Sequence, residues 1–223
     1  MRSFIALLLF LPFFVVSQNT DSKDLEQGNF FISHYKRDFL RSSFGNYVVL
    51  QDKEGVIYVG NVRNGLIEFD GQRVRRVLQN GKPMSAFIRD AVTDSKNTIY
   101  VGFNGTGFGY LQKNKFGQNE YISLSDKLPK KDEVTSTFWG LVVHQDTLFF
   151  QTENAVYLFK DKKYLRSYKF KDDVHIILGS PDGVYLRLWG KGLFKYSSKN
   201  GFSVIKGSEK LFAQNRIEAN YQL

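Results

Sequence analysis

The segment Gly102–Gly109, GFNGTGFG, carries four glycines in eight residues and has the look of a phosphate cradle. Such a loop works only between a strand and a helix, where the helix N-terminus points its N–H groups at the phosphate. Here Tyr110 and Leu111 continue as a β-type run, so the glycines predict a tight turn between strands. His34, His144 and His175 stand far apart with no metal-like spacing, and each reads as structural. The carboxylate pairs Asp132/Glu133 and Asp172/Asp173 lie in turn-like segments. A glycoside hydrolase needs two carboxylates across a cleft, and nothing in the spacing favours that arrangement. Asp94–Asn97 lacks the spacing and glycine of a calcium loop. There is no cysteine, which removes disulfides, thiol catalysis and Cys-ligated zinc. No catalytic residue, metal or cofactor is expected.

Lysine and arginine outnumber aspartate and glutamate by 31 to 22, a net charge of +9. The basic residues are scattered. Their tightest groups, Arg73/Arg75/Arg76, Lys130/Lys131 and Lys160/Lys162/Lys163, each adjoin a turn-like segment. This favours solvated turns and edge-strand protection over a binding patch, and no nucleic-acid partner is expected through this segment. At the N-terminus, Met1-Arg2-Ser3 precedes an apolar run from Phe4 to Val16, and Val15-Val16-Ser17 offers a cleavage site before polar Gln18. That is the pattern of a secretory signal peptide over residues 1–17. The run falls short of the about 20 residues that span a bilayer, and an uncleaved anchor is the rival reading. The chain is expected to be exported, with a polar linker over 18–29.

Beyond the linker, helical periodicity is scarce. Four segments share one pattern: GVIYVGNVRNGLIEFDG from Gly55, NTIYVGFNGTGFGYLQK from Asn97, DTLFFQTENAVYLFKDK from Asp146 and DGVYLRLWGKGLFKYSS from Asp182. In each, a turn residue precedes a short β run, a polar or glycine loop, a second β run with an aromatic, and another turn. The equivalent residues Ile57, Ile99, Leu148 and Val184 are 42, 49 and 36 positions apart. Short strands repeating near 42 residues predict a β-propeller with one four-stranded blade per repeat. The expected fold is therefore all-β: a partial propeller of about four blades, over about 42–84, 85–135, 136–173 and 174–215. Arg216–Leu223 would begin a fifth within an incomplete domain spanning 30–223. An open blade at the end of a longer propeller predicts poor solubility of the chain alone.

The stretch QDKEGVIYVGNVRNGLIEFDG (Gln51 to Gly71) resembles the first propeller unit of large Bacteroidetes sensor-regulators with a triple-tyrosine motif. IYVGFNGTGFGYL with YISLSDKLP (Tyr121 to Pro129) is similar to their second unit, and NFFISHYKRDF (Asn29 to Phe39) to the segment before the first blade. Gln151 departs from the pattern by replacing a glycine, and Val74 stands near the place of a tryptophan. The resemblance implies a periplasmic ligand-sensing propeller. In complete members more blades, a β-sandwich, one transmembrane helix and a histidine kinase or helix-turn-helix output follow. Membrane attachment would come only through such a downstream helix, and the parent protein could act as a homodimer.

In propellers the loops between second and third strands converge with the blade-to-blade loops on one face. That places Asn61, Arg63 and Asn64, Phe103 and Asn104, Glu153 and Asn154, and Trp189 and Lys191 at a ligand-binding rim, joined by Trp139 near the start of an inner strand. Aromatic faces beside Asn and Arg donors suit a glycan or another small extracellular ligand; the rival reading makes both tryptophans blade-packing residues. The leading expectation is a sensing module without catalysis in this chain. The alternatives are a secreted propeller lectin or polysaccharide-acting enzyme, or an adhesion propeller.

Overall fold

The repeat in the sequence folds as a repeat of sheets. The computed structural model describes Tyr35 and residues 45–212. The expected signal peptide, linker, His34 and the strand expected at Arg216–Leu223 lie outside the described residues. The first sheet runs β1 (Asn46–Gln51), β2 (Ile57–Asn61), β3 (Gly65–Phe69) and β4 (Val74–Arg76), and a small hairpin of β5 (Leu78–Gln79) and β6 (Lys82–Pro83) follows. The second holds β7 (Ile88–Thr93), β8 (Ile99–Phe103), β9 (Phe108–Lys113) and β10 (Asn119–Ser123). Two 3-10 turns, Ser125–Lys127 and Lys130–Asp132, lead to the third: β11 (Phe138–His144), β12 (Thr147–Thr152), β13 (Ala155–Lys160) and β14 (Lys163–Lys169). The fourth is β15 (Val174–Ser180), β16 (Gly183–Leu188), β17 (Gly192–Ser197) and β18 (Gly201–Val204), and a short helix α1 (Ser208–Phe212) packs on β17. Each set of four is an antiparallel meander, so the expected architecture of four four-stranded units is what the described residues adopt.

Local chemistry explains the meander. Asp52 accepts the N–H of Val56 at 2.8 Å and the Tyr58 hydroxyl at 3.3 Å; Asp94 accepts Thr98 N–H at 2.8 Å and the Tyr100 hydroxyl at 3.2 Å. An aspartate that closes its own turn and then clamps a tyrosine on the returning strand fixes hairpin register twice over. The Asp94–Asn97 segment is therefore a strand turn. The Gly102–Gly109 run is one as well: Phe103 donates to the Gly107 carbonyl at 3.0 Å, and β9 continues from it.

The central strands are buried on both faces. Every residue of β3 is buried, as is every residue of β13 except Lys160. Such strands need cover on both sides, and the sheets supply it by stacking in chain order, β1 against β7, β7 against β11, β11 against β15. The interface between the second and third sheets is aromatic. Phe108 stacks on Phe150 with centroids 4.3 Å apart and planes at 15°, and Phe159 meets both edge-on. Each such ring contributes roughly 1.5–3 kcal/mol by burial. Gly102 makes room for this packing, since a Cβ there would lie 2.1 Å from the Phe138 ring.

One boundary differs from expectation. The unit expected over 42–84 ends its sheet at Arg76, and residues 78–83 leave for the second sheet, where Leu78 pairs in parallel with Glu120. Val77 and Met84 are fully buried at the two ends of this excursion, and Met84 N–H donates to the Val77 carbonyl at 2.8 Å. Anchored apolar ends push the intervening Asn80-Gly81 hairpin outward over the edge of β10, where Gly81 N–H reaches Glu120 at 2.9 Å.

Candidate functional site

All four inner strands carry a β-bulge at the same place. Pairing slips between Asn46 and Val48, between Ile88 and Asp90, between Phe138 and Gly140, and between Val174 and Ile176. The inserted residues are Tyr47, Arg89, Trp139 and His175. A bulge leaves its extra residue out of the ladder and turns that side chain away from the plain alternation. These four side chains line one cleft of about 780 Å³, together with Trp189 and the carboxylates Glu153 and Asp173.

Each bulge disturbs backbone pairing, and the neighbouring sheet restores it. Asp90 accepts Leu141 N–H from the third sheet at 2.9 Å and Ala91 N–H at 2.8 Å. Gln151 accepts Ile177 N–H of the fourth sheet at 2.9 Å and donates to the Val174 carbonyl at 3.0 Å. Gln151 takes the place that Gly60 and Gly102 hold in the first two units, so the departure from the repeat is a stitch between sheets. Burial raises the Asp90 carboxyl from its usual range to about 6, against the pull of its two backbone donors.

Arg89 is the charged centre of the cleft. Its guanidinium carbon sits 3.7 Å from the centroid of Trp139 and 5.8 Å from that of Phe87, and one Nη donates to Asn104 Oδ1 at 3.3 Å. No carboxylate among the described residues forms an ion pair with it. Burial lowers its pKa and the Tyr47 phenol opposes that shift; a guanidinium stays charged regardless. At the other end His175 lies 5.1 Å from Trp189. Tyr47, Trp139 and Trp189 are 59 %, 45 % and 46 % exposed, so both tryptophans face the cleft and neither is a core packing residue.

The structure gathers some of the residues expected at a rim and disperses others. Trp139, Trp189 and Glu153 line the cleft, and Asn104 reaches it through Arg89. Asn61 is a correction: it is fully buried, and its side-chain Oδ1 accepts Arg63 N–H at 2.9 Å and Asn64 N–H at 3.1 Å, so it builds the loop from within. Phe103 is a second, lying edge-on to Tyr121 at 5.4 Å against the core of the first two sheets. Arg63, Asn64 and Lys191 stand outside the cleft lining. The Asn64 carbonyl accepts Arg76, the Arg63 carbonyl accepts Ser85, and Lys191 lies 3.9 Å from Asp172. Asn154 accepts the Ser136 hydroxyl at 2.7 Å. Buried Asp132 accepts Ser167 on β14 at 2.7 Å, a structural tie. Tyr47 and Arg89 escaped the sequence reading and His175 was expected to be structural, although all three occupy the position in their units that Trp139 holds in its own. Among the described residues no group of three or more His, Asp or Glu side chains is placed to hold a metal ion.

No family model and no curated protein matches the chain. Solved structures do. The extracellular domain of BT4673 from B. thetaiotaomicron, described in one crystal structure as a one component system and in another as a hybrid two component system, aligns with TM-score 0.51. In the first the identity is 23 %, over 72 % of this chain and 21 % of that one. Virginiamycin B lyase from Staphylococcus aureus aligns with TM-score 0.54 and 14 % identity, over 74 % of this chain and 57 % of the lyase. The fold is a β-propeller. At these identities the likeness is one of fold, and the chain spans about a fifth of the BT4673 domain. The four sheets are propeller blades, and the bulge residues line the cleft that these blades share.

Proposed function

We propose that this propeller is an extracytoplasmic ligand-sensing module of a membrane-bound signalling regulator, and that its ligand is a saccharide held in the bulge-lined cleft. The observation that carries this reading is the convergence of one bulge residue from each of four blades on a single cleft. A packing device would not need exposed Tyr47, Trp139 and Trp189 beside a charged Arg89. Aromatic surface beside Arg, Glu and Asp groups is the chemistry that stacks on a pyranose ring and pairs with its hydroxyls. The fold shared with an extracellular domain of a B. thetaiotaomicron signalling system supports the same reading. Export is part of it, carried by the expected signal peptide. No helix among the described residues is long and apolar enough to cross a membrane. In this reading attachment comes through a helix downstream in the parent.

Both tryptophans of the chain line the cleft, which makes intrinsic fluorescence a local reporter. Titration of the chain with a panel of neutral and acidic oligosaccharides should change tryptophan emission with at least one of them. Trp189→Ala should weaken that binding by at least about tenfold, the loss of roughly 1.4 kcal/mol of stacking. Unchanged affinity in Trp189→Ala would refute the site.

A further inference from the structure

We infer that Arg89 is a carboxylate anchor, and that the saccharide held in the cleft is an acidic one, a uronate-bearing oligosaccharide. The inference rests on the cleft being a saccharide site and adds the class of saccharide.

Half-buried arginines usually face a carboxylate, because a desolvated cation is costly without a counter-charge. Arg89 faces none among the described residues. The adjacent Asp90 spends its oxygens on Leu141 and Ala91 N–H groups. The guanidinium is nevertheless held in place. Its central carbon lies 3.7 Å from the Trp139 ring centroid, and one Nη donates to Asn104. Among the described residues its other N–H groups have no hydrogen-bond partner, and a guanidinium can match a carboxylate with two parallel N–H···O bonds. The rest of the cleft suits the sugar. Glu153 and Asp173 line it as hydroxyl acceptors, and Trp189 and Tyr47 offer apolar surface. The second blade thus brings Arg89 beside Asp90, whose oxygens are taken by two backbone N–H groups, and the third and fourth blades add the carboxylates Glu153 and Asp173. A ligand that presents one carboxylate to Arg89 and its hydroxyls to Glu153 and Asp173 satisfies both ends.

The test is a tryptophan-emission titration of the full chain with trigalacturonate, its methyl ester and citrate. Trigalacturonate should bind at least about tenfold tighter than the ester, which has the same rings without the charge. The difference should shrink as salt rises from about 0.05 to about 0.5 M. It should vanish in Arg89→Gln and survive in part in Arg89→Lys, with circular dichroism confirming both folds. Equal binding of acid and ester by the unaltered chain, or an acid preference that survives in Arg89→Gln, would overturn the anchor and leave the saccharide site standing. Citrate binding as tightly as trigalacturonate would overturn the acidic saccharide in favour of a free carboxylate. Emission unmoved by any of the three, when the wider oligosaccharide panel also fails, would overturn the site itself. Should Arg89→Gln not fold, the ester comparison and the salt dependence decide the matter alone.

Discussion

Arg89 of the second blade lies over the ring of Trp139 in the third, its guanidinium carbon 3.7 Å from the centroid. Two bulges on neighbouring inner strands thus touch through a cation–π contact, which ties the cleft lining to blade packing. A double-mutant cycle of Arg89→Ala and Trp139→Ala, followed by urea unfolding, should return a coupling energy of about 1 kcal/mol. A coupling near zero would mean that the pair is adjacent without being energetically linked.

Asp90 predicts an unusual pH dependence. Its carboxyl is raised to about 6 in the fold, above the ordinary value of 3.8. The folded state therefore binds the proton more tightly than the unfolded chain does. The stability this contributes is complete below about pH 4, is lost between about pH 4 and 6, and is absent above. Two units correspond to at most about 3 kcal/mol, and the water that still reaches the side chain reduces this to about 2 kcal/mol. Melting temperature should fall more steeply from pH 4 to 7 in the unaltered chain than in Asp90→Asn, which cannot ionise. Asp132 and Asp182, whose carboxyls are held below the usual range, act in the opposite sense and only below about pH 4. Parallel melting curves for the two proteins would refute the assignment.

Gly102 is required by its neighbour's ring, not by its backbone. Gly102→Ala would drive a methyl into Phe138, which is fully buried between Phe108 and Phe150. The expected cost is about 3 kcal/mol, the upper end for an overpacked core. Pairing it with Phe138→Leu should recover part of the loss in chemical denaturation; no recovery would show that the clash lies elsewhere.

Gln151→Leu keeps the approximate volume and removes both stitches to the fourth blade. Ile177 N–H and the Val174 carbonyl would be left without their partner, at a cost of about 3 kcal/mol. Hydrogen exchange should quicken at Ile177 before it does in β12 itself. Unchanged exchange at Ile177 would show that the stitch does not hold the blades together.

Much of this fold was legible because each strand is written as its own short β run bounded by a turn residue. Asp52 and Asp94 both announce a turn in the sequence and make it in the structure. The β5–β6 hairpin was legible in kind but went unread: Asn80-Gly81, with both residues at positive φ, is a strong hairpin signal. What was not legible is where that hairpin docks, because Leu78 pairs with a strand some forty residues away. The candidate site was half legible for a similar reason. Trp139 and Trp189 declare themselves by type. Tyr47, Arg89 and His175 look like ordinary strand residues until a one-residue slip of register turns them into the cleft. Asn61 misled because an asparagine in a loop looks the same whether it faces solvent or holds the loop together from inside.

The bulge recurs in every described blade while its residue differs each time: tyrosine, arginine, tryptophan, histidine. The cores between blades are built from other positions, among them Phe108, Leu158 and Val184. A substitution at a bulge residue therefore changes the lining of the cleft while these cores stay as they are. One scaffold can carry many linings, and its blades remain superimposable from one version to the next.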